Sequence, residues 1–367
     1  MNGAPPGNAR RLRILHVIFL LGETNSQYNE HCLPVKDARD LAICTYFEPK
    51  LRVPDEIEVF AGDGTLRGFF RAIGSAVRAS RYDVIHAHAP PTAVLVMLGL
   101  IRQPRRRARF RSLVYTVHDS FYDYKLRDKL FMLPIFATFR RTVFCGHAAY
   151  ESYPALWRAV LRGRGRVVPN AADLERVGRA VSDVGSPNGA FEIVSVGRLE
   201  QVKDPLALLA AFRQVDDGSI RLHLIGAGTM EPRLRQELLV SELDDRVELT
   251  GLIPRDEVFA RCAEADLFVS PSRGEGLPVA VMEAMASGCP VVLSDIPPHR
   301  EIAAGVDFIP LVPVGDSRSL AREIDRFKDM TSEERRAVGV KCRNLAQDRF
   351  GLERMHAGYE AVYRELS

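Results

Sequence analysis

The sequence predicts two α/β domains, each built on a parallel sheet, and three observations carry that expectation. The chain has 367 residues, more than one hydrophobic core usually serves. Short apolar runs alternate with helix-like stretches from Ile14 onward, and the alternation restarts at Glu192. Between the two series lies 178–190, where Gly185-Ser186-Pro187-Asn188-Gly189 favours turns over regular structure.

The first series of expected strands is Ile14–Leu21, Glu58–Ala61, Val84–His86, Ser112–Val117 and Thr142–Cys145. The second is Glu192–Val196, Arg221–Ile225, Val247–Leu249, Leu267–Ser270 and Val291–Ser294. Most of these runs are nearly continuous in apolar residues, as strands of a parallel sheet covered on both faces must be. From Phe350 to Leu366, residues Leu352, Met355, Tyr359, Val362 and Tyr363 recur at helical spacing and predict an amphipathic helix. Spacing alone leaves open which domain that helix packs on. The expected division is 1–184, 185–345 and a terminal helix in 346–367.

Composition narrows the classes. The net charge of +3 is the small difference of 50 basic and 47 acidic residues, so nucleic acid is not an expected partner. Six cysteines, at positions 32, 44, 145, 262, 289 and 342, form no C-x-x-C pair and read as buried thiols in a cytoplasmic protein. Arg10, Arg11 and Arg13 precede the apolar run Ile14–Leu21, but no small-x-small cleavage site follows, so a buried strand is expected there. No segment reaches the length of a transmembrane helix.

The strongest chemical signal follows Leu267–Ser270: Pro271-Ser272-Arg273-Gly274-Glu275-Gly276-Leu277, then a helix opening at Pro278. Gly274 and Gly276 allow close backbone approach, and the amides at a helix start can bind oxygens or phosphate. Glu275 falls in the loop and Glu283 inside the helix. Either alone reads as a solvated acid or an ordinary ion-pair partner. A second signal is Gly197-Arg198-Leu199-Glu200-Gln201-Val202-Lys203-Asp204-Pro205, where Arg198 can fork onto phosphate oxygens, Lys203 adds a point charge, and Asp204-Pro205 can cap the next helix. Gly226 and Gly228 form a G-x-G turn after another strand, in isolation a weak nucleotide hint. In the first half, His86-Ala87-His88 and Val117-His118-Asp119 lie at strand C-terminal ends, where open α/β sheets bind ligands. H-x-H also suits a metal, yet the sequence shows no third ligand and no Asp-x-Asp element.

Glu275 and Glu283, with seven residues between them and followed by Ala-Met-Ala-Ser-Gly-Cys-Pro, form a segment that resembles the signature of retaining glycosyltransferases of family four, which have the GT-B fold of two Rossmann-like domains facing across a cleft. The segment from Gly197 to Asp204 resembles that family's phosphate-binding element. The resemblance implies that Glu275 contacts the transferred sugar, that Glu283 binds the donor ribose, and that Arg198 and Lys203 hold the diphosphate. It further implies a donor site at Gly22, Gly226, Gly228, Leu252, Gly276, Leu277 and Pro278, with Leu252 reading the base through its backbone and His118 facing the donor sugar. The terminal helix should return to the first domain.

The implied activity is retaining, metal-independent transfer of a sugar, of hexosyltransferase class, from a nucleotide diphosphate sugar to an acceptor hydroxyl. No cofactor is expected, and the acceptor is a sugar, a small molecule or a lipid-linked group. Two departures stand out: only Gly22 remains where relatives often carry two glycines, and Ala171 replaces the glycine of a P-N-G turn. The altered Gly22 loop keeps a non-catalytic nucleotide-sugar-binding protein as the alternative. A glycosidase is disfavoured, because eight residues along one helix separate two acids by about 12 Å, against about 5–5.5 Å in retaining glycosidases. Six arginines in 102–111, next to the apolar stretch Ala93–Ile101, admit peripheral contact with an anionic membrane face.

Overall fold

The computed structural model of the chain describes residues 11–101, 103, 110–185, 189–215 and 217–366. Two parallel sheets organise it. The first contains β1 (Arg13–Ile18), β2 (Asp40–Thr45), β3 (Ile57–Ala61), β4 (Val84–His88), β5 (Leu113–Val117), β6 (Arg141–Phe144) and β7 (Gly165–Val167), in the order β3-β2-β1-β4-β5-β6-β7. The second contains β8 (Glu192–Val196), β9 (Arg221–Ile225), β10 (Val247–Gly251), β11 (Leu267–Ser270), β12 (Val291–Ser294) and β13 (Leu311–Val312), in the order β10-β9-β8-β11-β12-β13.

In both sheets the strand order reverses beside the first strand, between β1 and β4 and between β8 and β11. A crevice opens at such a point beyond the strand C-termini, because the two flanking connections leave in opposite directions. The expected strands are all present within a few residues. β2, β7 and β13 were not expected: β2 shows only Leu41–Cys44 as an apolar run, β7 is half-exposed throughout, and β13 has two residues. The edge segments β7 and β13 gain their order from a neighbouring ladder rather than from their own pattern, whereas β2 lies inside the sheet between β1 and β3.

The chain passes between the sheets where the Ala172 N–H donates to the Phe350 carbonyl at 2.8 Å, and Ala172 also pairs with Gly351 as an isolated parallel bridge. Two crossings therefore run side by side. Helix Leu174–Ala180 packs against helices Arg255–Glu264 and Val279–Ala286, which flank the second sheet. Helix Leu352–Arg364 does the opposite and returns to the first sheet. There Met355, Tyr359, Val362 and Tyr363 are buried in one apolar cluster with Ile14, Ile18, Leu41 and Val84. At its end Glu365 accepts from Arg166 at 2.7 Å and also pairs with Arg141.

The six cysteines are unpaired and buried. Tyr359 tests the helix's return, because its ring is 1% exposed and its hydroxyl meets Thr116 of β5 at 3.1 Å. Tyr359→Ala should cost about 3–5 kcal/mol through the cavity it leaves, and Tyr359→Phe about 1 kcal/mol. Denaturant titration of both variants measures this; equal small losses would mean that the helix adds little to the first domain.

Candidate active site

The loop from Pro271 to Pro278 leaves β11 and enters the gap between the domains. Gly276 is required there: a Cβ at this position would sit 1.9 Å from the carbonyl oxygen of His118 in the first domain. Ser120 Oγ donates to the Glu275 carbonyl at 2.6 Å, and Asn170 Nδ2 donates to that of Leu277 at 3.0 Å. Across the same seam, Glu301 accepts from the backbone N–H groups of His147 at 2.9 Å and Ala148 at 2.7 Å. Its carboxylate thereby caps helix His147–Glu151 of the other domain. The loop is thus clamped to the first domain through its own backbone carbonyls.

Within that clamp Glu275 is 8% exposed. Lys203 Nζ donates to both its carboxylate oxygens, at 2.6 and 2.7 Å, and Ser272 Oγ donates to Oε1 at 2.7 Å. Arg198 extends from the end of β8 into a cavity of about 340 Å³ and is exposed. Gly226, Leu252 and Glu283 line the same cavity, together with Thr24 and Ser26 of the first domain. Gly226, at φ +138°, lets β9 meet the preceding turn, since a Cβ would lie 1.9 Å from the Gly197 carbonyl oxygen. Gly228 lies equally close against Leu199. Gly22 does not line the cavity; Thr24 and Ser26, further along the same loop, do. Leu277 is buried, and Pro278 occupies the cap position of helix Val279–Ala286, one residue before its first turn.

Several partners were invisible in the sequence. Asp204 does not cap the helix that follows it. Its backbone is left-handed at φ +49°, and its carboxylate turns to Arg273 at 2.6 Å. Glu283 meets Arg255, whose Nε donates to Oε1 at 2.8 Å and whose Nη2 reaches the same oxygen, while Nη2 also donates to Glu30 of the first domain at 2.9 Å. The one local signal for Arg255 is that it opens a helix, where the dipole disfavours a cation. Asp119, beside His118, has its acidity weakened by burial and partly restored by Arg198 and Lys203. Asp123 is likewise pushed up to about 6 by burial, and Asp119 adds to the shift.

Beneath the cleft lies a buried chain of imidazoles. His118 Nε2 meets His88 Nδ1 at 3.1 Å, and His88 Nε2 meets His16 Nδ1 at 3.2 Å. His86 bonds Tyr363 at 2.8 Å and Thr116 at 2.7 Å, and His31 packs edge-on against His88 and Tyr359. His16, His86 and His88 come close enough to share a cation. Their donor set does not suit one: both nitrogens of His86 and of His88 are engaged, which leaves His16 Nε2. His118 therefore stands at the cleft end of a neutral network rather than as an isolated base.

Burial lowers His16 to about 3 and His118 to about 4, and holds His31, His86 and His88 well below the ordinary imidazole range.

The profile of the family described as glycosyl transferases group 1 matches residues 190–329, and that of glycosyltransferase family 4 matches residues 49–176. The chain belongs to the group 1 glycosyltransferases. Among curated relatives of this group 1 chain, the amylovoran biosynthesis glycosyltransferase AmsK of Erwinia amylovora is 36% identical over 36% of this chain and 34% of its own. A UDP-Gal:alpha-D-GlcNAc-diphosphoundecaprenol alpha-1,3-galactosyltransferase of Escherichia coli is 23% identical over 87% of this chain and 83% of its own. The WcaL proteins of Escherichia coli and Salmonella typhimurium match at 35% and 31% identity, and the chain spans about half their length. In fold it is similar to a sucrose-phosphate synthase from Thermosynechococcus elongatus, with TM-score 0.79 at 20% identity over 97% of this chain and 99% of that one. The Anabaena protein Alr3699/HepE, solved with UDP and glucose, gives TM-score 0.76 at 18% identity over 97% and 100%.

The imidazole chain makes stability depend on pH. The unfolded chain takes up protons on His16, His31, His86 and His88 below about pH 6.5 while the native protein does not, so stability is complete above that value and falls with pH. Each of the four should contribute about 1.4 kcal/mol to the loss between pH 7.5 and 5.5. Denaturant titrations at the two pH values should differ by several kcal/mol; equal values would show that these rings do not remain neutral.

Proposed function

We propose that the chain transfers a sugar, of hexose type, from a nucleotide diphosphate sugar to an acceptor hydroxyl, with retention of configuration and without a metal ion. The observation that carries this reading is the meeting of Arg198, Lys203, Glu275 and Glu283 around one cleft bordered by both domains. Lys203 and Arg198 are the groups for the departing diphosphate. Charge that develops on a leaving group is stabilised most by cations already in place, because no reorganisation is then needed.

Glu275 holds Lys203 in position through both carboxylate oxygens. A bound pyrophosphate offers Lys203 a second anion and frees carboxylate capacity on Glu275 for a sugar hydroxyl. The acceptor hydroxyl attacks from the face the diphosphate leaves, and its proton passes to the leaving phosphate oxygen, so no protein nucleophile is required. Holding both reactants in that geometry supplies much of the rate. Group 1 membership and the UDP-bound state of a structural neighbour support a nucleoside diphosphate donor.

For the acceptor, a lipid-linked saccharide is the reading with most support. One relative acts on a diphosphoundecaprenol-linked sugar by its name. On the first domain, Leu126, Leu130 and Leu133 are exposed along one helix, and Leu98 and Ile101 on the helix beside it. The arginine-rich 102–111 follows Ile101; most of it lies outside the described residues. Peripheral contact with the cytoplasmic membrane face, through this region, fits those features and the free cysteines. Among the described residues no helix is long and apolar enough to cross a membrane.

Arg198→Ala should lower kcat/KM by about 2–3 kcal/mol in activation free energy and leave unfolding unchanged, since the side chain is exposed. Lys203→Ala should lower kcat/KM similarly and also cost stability on the order of 2 kcal/mol, because the buried Glu275 loses its counter-ion. Nucleotide release from UDP-, GDP- and ADP-sugars with lipid-linked and free acceptors reads the first effect, and thermal unfolding reads the second. Donor binding with no release in any pair would favour a binding protein. Salt-sensitive sedimentation with anionic vesicles checks the membrane contact.

A further inference from the structure

The contact between Glu30, Arg255 and Glu283 is neither a surface ion pair nor part of the diphosphate clamp. Glu30 is 2% exposed and Glu283 6%. Glu30 belongs to the helix Ser26–His31 of the first domain, whereas Arg255 and Glu283 belong to the second. Two ionised carboxylates on one buried guanidinium would sum to an excess negative charge, and desolvation makes such an arrangement costly unless one of them takes up a proton. Arg255 and Glu283 also form part of the cavity wall.

The hydrogen bonds show what the arrangement does. Both contacts from Arg255 to Glu283 go to Oε1, and Oε2 has no hydrogen bond among the described residues. The guanidinium thus fixes the carboxylate in one orientation, favours its charged form against the burial that weakens its acidity, and leaves one oxygen for a ligand. On the other side, Arg255 is held by Glu30, whose backbone carbonyl accepts from His356 at 2.6 Å. Next to it, Asn29 Oδ1 accepts from Arg176 at 3.0 Å, and Arg176 pairs with Asp256 at 2.6 Å. The segment after β1 is thereby bound to the second domain through two adjacent arginines.

We propose that Arg255 and Glu30 are positioning residues for donor recognition: across the domain boundary they orient Glu283 so that its free oxygen takes the ribose hydroxyls, and nucleotide binding therefore requires both domains. This rests on the ribose role of Glu283.

A pH dependence follows. Burial pushes Glu30 up to about 8 against the pull of Arg255, with Glu283 and Asp173 adding to the rise. Glu30 is therefore mostly protonated at pH 7 and ionises as the pH rises through about 8, adding negative charge beside a site for a diphosphate. His356, lowered by burial, is already neutral in that range, and the arginines stay charged, so the alkaline step belongs to the carboxylates.

The test is calorimetric binding of UDP, GDP and ADP, and of the 2′-deoxy and 3′-deoxy forms of whichever binds most tightly. Wild type should prefer the ribonucleotide by about tenfold or more. Glu30→Gln, which mimics the neutral acid, should keep that preference at pH 7 and abolish the fall in affinity that wild type shows from pH 7.5 to 9. Glu30→Ala and Arg255→Met should bind the ribonucleotide and its deoxy forms alike. If wild type discriminates and both truncations still do, the positioning role is wrong while the ribose role of Glu283 stands. If wild type does not discriminate, or none of the three nucleotides binds, the ribose role itself fails. Should Arg255→Met not fold, the comparison of Glu30→Gln with Glu30→Ala decides, and an alkaline fall that persists in Glu30→Gln overturns the proposal.

Discussion

Burying charge between two domains is possible only where an opposite charge meets it, and that constraint shapes the cleft. Lys203 is set against Glu275, Arg255 against Glu283 and Glu30, and Asp204 against Arg273. In each pair the partners come from segments distant in sequence, so the pairs form only when the loops after β8, β10 and β11 meet. Arg198 differs. Its guanidinium makes no hydrogen bond or ion pair among the described residues and stands exposed in the cavity.

The floor of the cleft follows the opposite rule. His16, His31, His86 and His88 lie within the first domain with no carboxylate among their hydrogen-bonding or ring contacts, and burial keeps them neutral. A neutral imidazole can donate with one nitrogen and accept with the other, so a row of them satisfies most of its own polar groups, His16 Nε2 excepted, without importing charge. The terminal helix completes that row through Tyr359 and Tyr363. Its return to the first domain is therefore tied to the ring network that ends at His118.

How much was legible in the sequence varies by element. β11 and β12 were visible because strands covered on both faces must be apolar along their length, and β8 and β9 because apolar residues recur within them between polar ones. β7 and β13 were not, since an edge or very short strand takes its order from its neighbour, and β2, though interior, shows only the four-residue apolar run Leu41–Cys44. The glycines at 226 and 276 announced close backbone approach, although only the fold shows what approaches: the carbonyl of Gly197 for one and of His118 for the other. Asp204 was misread as a helix cap, because Asp-Pro before a helix is locally indistinguishable from one. Arg273 captured its carboxylate from another loop.

By itself the sequence determined the class of each half, the strand ends at which chemistry could sit, and the identities of the cations and acids that the family resemblance groups together. These depend on local periodicity, turn-forming residues and motif spacing, all of which are properties of contiguous residues. Tertiary structure alone decided which charges neutralise one another, that Thr24 and Ser26 rather than Gly22 face the cavity, and that Glu30 reaches across to Arg255. Electrostatic partnership is a matter of distance and burial, and neither is defined until segments far apart in sequence have come together.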